Sequence, residues 1–163
     1  MRKAYTKKGD EGYTQDYSGK QLRKDDPVIV TGGKIDSLQS AIDLVLLSAK
    51  GKTKTMLDEI QKKLWQSAGE LSCGDKSRVM WPVTEKDISA LEASIDSLGE
   101  PPQKFVRFNT QEAIQYNECR IRCRELETSM VKLLHIKALR PVVYQYINRL
   151  SSLFFMLAYK ETK

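Results

Sequence analysis

From Ile35 to Leu157 apolar residues recur at intervals of three and four, and glycine or proline punctuates the runs. That spacing matches the 3.6-residue turn of an α-helix, and no segment sustains the period-two alternation of a half-buried strand. The first run holds Ile35, Leu38, Ile42, Val45 and Leu46, and Gly51 closes it. The second carries Leu57, Ile60, Leu64, Ala68 and Leu71, with Thr55 or Thr53 as the expected cap, and Cys73-Gly74-Asp75-Lys76-Ser77 reads as loop. Thr84 followed by Asp87 is a capping-box variant that starts a third helix. Its stripe is Ile88, Leu91, Ile95 and Leu98, and Gly99-Glu100-Pro101-Pro102 stops it. A long fourth helix is expected from about Thr110 to about Lys137, with Ile114, Ile121, Val131 and Leu134 among its apolar positions. Pro141 suits the first turn of a fifth, which runs through Val143, Ile147, Leu150, Phe154 and Leu157. Residues before Pro27 lack this periodicity and read as an extended arm. The expectation is an all-α, antiparallel five-helix bundle in one domain spanning residues 1–163, with residues 1–26 as an N-terminal arm.

Of the 163 residues, 40% are apolar, enough for a core, and no apolar run approaches the roughly 18 residues of a membrane span. The first residues are polar and charged without an apolar signal core, so the expected location is cytoplasmic, with the chain mature as written. Cys73, Cys119 and Cys123 form no CxxC pair, and with His135 as the single histidine they read as reduced, structural thiols. Cys119 and Cys123, four apart, share a helix face. The net charge of +6 suits an anionic ligand, and basic residues crowd the arm (Arg2, Lys3, Lys7, Lys8, Lys20, Arg23, Lys24) and Arg120, Arg122 and Arg124.

Four constellations could carry chemistry. In Thr6-Lys7-Lys8-Gly9-Asp10-Glu11-Gly12-Tyr13-Thr14, two glycines let backbone approach an anion that the lysines neutralise. The spacing is not that of a phosphate-binding Walker loop, and alone the segment reads first as a mobile basic terminus. Arg120, Arg124 and Glu127 share one face of the fourth helix. They could hold a polyphosphate and a Mg²⁺ ion or ribose hydroxyl, or form a solvated face of ion pairs. Asn148, beside Arg149 in the apolar fifth helix, needs a hydrogen-bonding partner, either structural or a ligand. Asp36 reads as a favourable carboxylate in the first turn of the first helix. Trp65, Phe105 and Phe155 read as core aromatics.

Taken in order, these elements resemble the propanediol-utilisation type of ATP:cob(I)alamin adenosyltransferase, with the chain as a divergent member. Tyr5-Thr6-Lys7-Lys8-Gly9-Asp10-Glu11-Gly12 is similar to that family's YTRTGDDG loop. Lys24-Asp25-Asp26-Pro27 and Gly33-Lys34-Ile35-Asp36-Ser37-Leu38 resemble its KDD…GTxDEL stretch. Ile60-Gln61 with Leu64-Trp65 resembles IQxxLF, and Leu91-Glu92 with Ile95-Asp96 resembles LExxID. Arg120 to Glu127 parallels RxxCRRAE, and Tyr146 to Ser151 parallels YLNRLSD.

The resemblance implies a homotrimer with active sites between subunits. It also implies transfer of the 5′-deoxyadenosyl group of ATP to the cobalt of reduced cobalamin, releasing tripolyphosphate. It assigns Thr6, Gly9, Asp10, Gly12 and Lys24 to the triphosphate, Arg120 and Arg124 to the nucleotide and to catalysis, and Glu127 and Asn148 to the adenosine and Mg²⁺ side. Asp36 would pair with Arg120 across a subunit interface, and Phe105 would meet the corrinoid. The chain departs from the pattern at Lys8, Tyr13, Ser37, Gln39, Glu125, Thr128 and Ser152, and Phe105-Val106-Arg107-Phe108-Asn109 replaces FILPGG. Those departures leave a second function class, a relative that binds ATP or a corrinoid without transfer, as a sensor or carrier. Nucleic-acid binding ranks below both, since no nucleic-acid module is recognisable.

Overall fold

The computed structural model describes residues 3–73, 80–136 and 138–162. Five helices dominate: α1 (Pro27–Leu46), α2 (Gly51–Ser72), α3 (Glu85–Asp96), α4 (Gln111–His135) and α5 (Pro141–Lys160). Packing neighbours run in the order α2, α1, α4, α5, α3, so α4 and α5 form the centre of the bundle. Their interior closes around fully buried Ile35, Leu38, Leu64, Leu126, Leu133, Leu150 and Phe154. No helix among the described residues is long and apolar enough to cross a membrane.

The start of α1 falls eight residues before the expected Ile35. Asp26 is extended, its carboxylate accepts from the Val28 amide at 2.9 Å, and Pro27 occupies the first turn. The β-branched and glycine residues Val28 to Gly33 are poor helix formers, so periodicity understates a helix that packing against α4 stabilises. Thr31, fully buried, extends the Ile35–Leu38 stripe one turn back. Asp36 is consequently in the middle of α1 and not in its first turn, so a helix-end role is excluded. Gly51 opens α2 at φ +54° instead of ending α1, and the residue before α2 is Lys50, not Thr53 or Thr55. Thr55 instead donates its hydroxyl to the Gly51 carbonyl at 3.4 Å.

The capping box of α3 is present: the Thr84 amide donates to the Asp87 carboxylate at 2.8 Å, and Lys63 of α2 reaches the same carboxylate at 2.9 Å. Beyond the Thr110 cap of α4, whose hydroxyl accepts from Ala113 at 3.1 Å, the buried face differs from expectation. It comprises Ala113, Tyr116, Cys119, Cys123, Leu126, Met130 and Leu133, whereas Ile114, Ile121 and Val131 are exposed. α1 and α5 both pack on α4, and its buried face carries small and sulfur-bearing residues at Ala113, Cys119 and Cys123 beside the larger Tyr116, Leu126 and Leu133. The expected helix end at Lys137, the loop residues Gly74 to Ser77 and the basic Arg2 lie outside the described residues. Burial pushes the Cys119 thiol up to about 12 and Cys123 well above its ordinary value, in keeping with structural thiols.

In the arm, β1 (Tyr13–Gln15) and β2 (Gln21–Arg23) pair antiparallel, with Thr14 opposite Leu22. The Asp16 carboxylate organises the connecting turn by accepting from the Ser18 and Lys20 amides, both at 2.9 Å. Three-residue strands are too short to leave a periodic trace.

Candidate functional site

Helix α4 gives its solvent face to a cleft of about 410 Å³ that includes Arg120, Arg124, Glu125, Glu127 and Thr128, with Tyr144 of α5 on the opposite wall. Four-residue steps along α4 align Arg120, Arg124 and Thr128, and a four-residue step on α5 joins Tyr144 to Asn148. The Asn148 side-chain amide donates to Glu127 in a short hydrogen bond, so two of the residues singled out in the sequence meet across helices. Arg149 donates to the Asn148 side-chain oxygen at 3.0 Å and to Glu92 of α3 at 2.7 Å. A hydrogen-bonded chain therefore runs from α3 through α5 to Glu127 on α4, fixing the rotamers of Asn148 and Glu127.

The two arginines are differently held. Arg120 donates to Asn117 at 2.9 Å and is partly buried, and burial, followed by repulsion from the nearby Arg124, pulls it below its ordinary value. The Arg124 guanidinium is exposed and makes no hydrogen bond or ion pair to any described residue. Two adjacent cations, neither with a carboxylate partner among the described residues, form a site that an anion relieves. The same arginines border a second cleft of about 480 Å³ with Asp96, Pro101, Ser151, Ser152, Phe155 and Met156. Phe155 meets Phe108 edge-on, with ring centroids 6.2 Å apart, so its packing partner is the loop before α4.

The arm builds a separate basin of about 1030 Å³ around Thr6, Lys7, Lys8, Gly9, Asp10 and Lys24. The Gly12 carbonyl accepts from the Lys24 amide at 2.8 Å, and the Gly12 amide donates to Gly9 at 3.2 Å. A Cβ at Gly9 would come within 2.9 Å of the Lys24 Nζ atom, so the missing side chain makes room for that ammonium. The segment is thus a folded cradle and not simply a basic terminus. No described arm residue borders either α4 cleft.

Asp36 and Phe105 stand apart from these clefts within the protomer. Asp36 is exposed and has no hydrogen-bonding or ionic partner among the described residues. Phe105 is 100% exposed and Trp65 70%, so neither is a core aromatic. Tyr144 was missed in the sequence and Thr128 was singled out only as a departure from the family pattern, although their four-residue spacing from Asn148 and Arg124 was a usable signal. No group of three or more histidine, cysteine or acidic side chains able to cage a metal occurs among the described residues.

The sequence model of one protein family, described as cobalamin adenosyltransferase, matches residues 4–161. The corrinoid adenosyltransferase PduO of Salmonella typhimurium is 32% identical over 164 residues, which cover 96% of this chain and 49% of that protein. The chain thus spans about half the length of that relative. A corrinoid adenosyltransferase of Citrobacter freundii is 31% identical, with 97% of this chain and 94% of that protein covered. Among solved structures, a variant of the PduO-type ATP:corrinoid adenosyltransferase from Lactobacillus reuteri, complexed with cobalamin and ATP, has a TM-score of 0.85 at 28% identity. The overlap covers 98% of this chain and 91% of that one.

Proposed function

The chain belongs to the cobalamin adenosyltransferase family, and from that premise we propose that it transfers the 5′-deoxyadenosyl group of ATP to the cobalt of a reduced corrinoid. The observation that carries this reading is the cleft on α4, where two arginines stand beside a glutamate braced by Asn148 from α5. In the reaction, cobalt(I) supplies an electron pair to C5′ of ATP. The cobalt–carbon bond forms as the C5′–oxygen bond breaks, and tripolyphosphate leaves with the bond's electrons while cobalt becomes formally cobalt(III).

Because cobalt is itself the nucleophile, the chain needs no serine, cysteine or histidine to attack. Its task is to hold C5′ in line with the metal and to stabilise the charge that develops on the departing triphosphate. Arg120 and Arg124 supply that stabilisation. Glu127 and Asn148 orient the adenosine side. Mg²⁺ keeps several waters and takes one or two carboxylates together with substrate phosphates. A lone Glu127 carboxylate with an oxygen left over from the Asn148 bond fits a Mg²⁺ carried by ATP, and does not fit a protein-only cage. When bound, the ion would neutralise phosphate charge.

The arm basin, with Thr6, Gly9, Asp10, Gly12 and Lys24, is read as a second part of the triphosphate site, reached in a homotrimer by the arm of a neighbouring subunit. Three features support that assembly: no described arm residue borders either α4 cleft, Asp36 has no partner among the described residues, and Ile121 and Val131 leave apolar surface beside the arginines. Asp36 then pairs with Arg120 between subunits, and the exposed Phe105 takes part in corrinoid binding. A cytoplasmic location goes with this reading, since cobalt(I) survives only in reducing surroundings.

The test mixes purified protein, Mg-ATP and chemically reduced cobalamin and follows loss of the cobalt(I) spectrum. Turnover that Arg124→Ala abolishes supports the proposal. ATP binding without turnover would sink it in favour of a sensor or carrier.

A further inference from the structure

Glu125 presents a difficulty for any site that receives a polyanion on α4. Its side chain borders the cleft beside Arg124, and the two arginines and two glutamates of that wall cancel in formal charge. ATP carries several negative charges, so a neutral wall offers it little attraction, and a free carboxylate on that wall repels it. The structure shows how the carboxylate is managed. Its Oε2 atom lies 2.8 Å from the Lys34 Nζ atom on α1 and 3.5 Å from the Arg122 guanidinium. Neither of these cations borders the cleft. Arg122 is already engaged by Glu118 at 2.7 Å, one turn earlier, so Lys34 is the principal partner.

Both residues also depart from the motifs that the chain resembles. The family pattern GTxDEL has threonine where Lys34 stands, and RxxCRRAE has arginine where Glu125 stands. The side chains at these two positions meet each other across the α1–α4 interface.

We propose that Lys34 is a positioning residue for the nucleotide: by holding the Glu125 carboxylate toward α1, it leaves Arg120 and Arg124 opposed by Glu127 alone, so that the wall facing the triphosphate is net positive. The proposal rests on the cleft being the ATP site. Lys34 touches no substrate and acts only through Glu125. Both side chains are a little over one-third exposed, at 38% and 37%, so solvent screening limits the effect.

Equilibrium binding of ATP and of adenosine is measured for the parent, Lys34→Thr, Lys34→Arg, Lys34→Thr/Glu125→Gln and Arg124→Ala, with circular dichroism to verify folding. Lys34→Thr is expected to weaken ATP binding about three- to tenfold and adenosine binding less than about twofold, because only the phosphates sense the freed carboxylate. Lys34→Arg and the double variant should return ATP affinity to within about twofold of the parent. An equal loss for adenosine and ATP would mean that Lys34 matters only to the fold, and overturns the proposal. So would full ATP affinity in Lys34→Thr, or a double variant as weak as Lys34→Thr. If Arg124→Ala binds ATP like the parent, the cleft is not the ATP site, and both readings fall together.

Discussion

Replacing Arg140 with methionine removes the partner of the most deeply buried carboxylate in an ion pair among the described residues. The Glu70 side chain is 5% exposed and accepts from the Arg140 Nε and Nη2 atoms at 2.6 and 2.7 Å, while Nη2 also donates to the Val83 carbonyl at 3.1 Å. One side chain therefore joins α2, the segment leading into α3 and the residue that precedes α5, the helix that carries Asn148. Breaking a fully buried pair from one side costs about 3–5 kcal/mol, because the remaining charge is stranded. Arg140 is 36% exposed, so water partly rehydrates Glu70 after the substitution, and the expected loss is about 2–3 kcal/mol. For a chain of this length that corresponds to a fall in melting temperature of about 4–12 °C. Urea unfolding followed by circular dichroism at fixed protein concentration measures it. Glu70→Leu combined with Arg140→Met removes both charges and should recover stability to within about 1 kcal/mol of the parent. A loss below about 1 kcal/mol in the single variant, or a double variant as unstable as the single one, would refute the assignment of a stranded charge.

Two further outcomes follow from the core and the arm. Burial raises the Cys119 and Cys123 thiols, so above the ordinary thiol range the unfolded chain loses protons that the folded chain keeps, and stability falls as pH rises. Each thiol should cost about 1.4 kcal/mol per pH unit above its unfolded value, and a Cys119→Ala/Cys123→Ala variant should show a flatter decline between about pH 8 and 10. Equal slopes for parent and variant would contradict this. Gly9→Ala should displace the flexible Lys24 ammonium, weakening ATP binding several-fold with a melting temperature within about 2 °C of the parent; unaltered ATP affinity would remove Lys24 from the phosphate site.

How legible this protein is in its sequence depends on what each residue's neighbours are. The Thr84–Asp87 box and Pro141 are local devices, and both stand where their chemistry says. The start of α1 was hidden because the β-branched and glycine residues Val28 to Gly33 carry little helical signal of their own, and the Asp26 cap and Pro27 mark the true start. The face of α4 differs from expectation because the branched aliphatics Ile114, Ile121 and Val131 stand on one side of the helix, whereas the buried side is the Ala113, Tyr116, Cys119, Cys123, Leu126, Met130 and Leu133 stripe, in which alanine and cysteine hold core positions. At the site, Arg120, Arg124 and Glu127 were readable because one helix face needs only spacing. The bond from Asn148 to Glu127 needed the α4–α5 packing, and the role of Lys34 needed the α1–α4 packing, neither of which leaves a periodic signal. Asp36 has no hydrogen-bonding or ionic partner among the described residues and Phe105 is fully exposed, so the roles proposed for them rest on the resemblance and not on contacts within the fold.

The proposed function requires that the arginines of α4 receive the triphosphate while Glu127 and Asn148 receive the adenosine side. Competition binding of ATP, tripolyphosphate and adenosine to the parent, Arg120→Ala, Arg124→Ala and Asn148→Ala tests it directly. The predicted result is a split: the arginine variants lose tripolyphosphate and ATP affinity by about tenfold or more while keeping adenosine, and Asn148→Ala loses adenosine and ATP while keeping tripolyphosphate. Uniform losses across the three ligands, or tripolyphosphate binding that ignores both arginines, would contradict it.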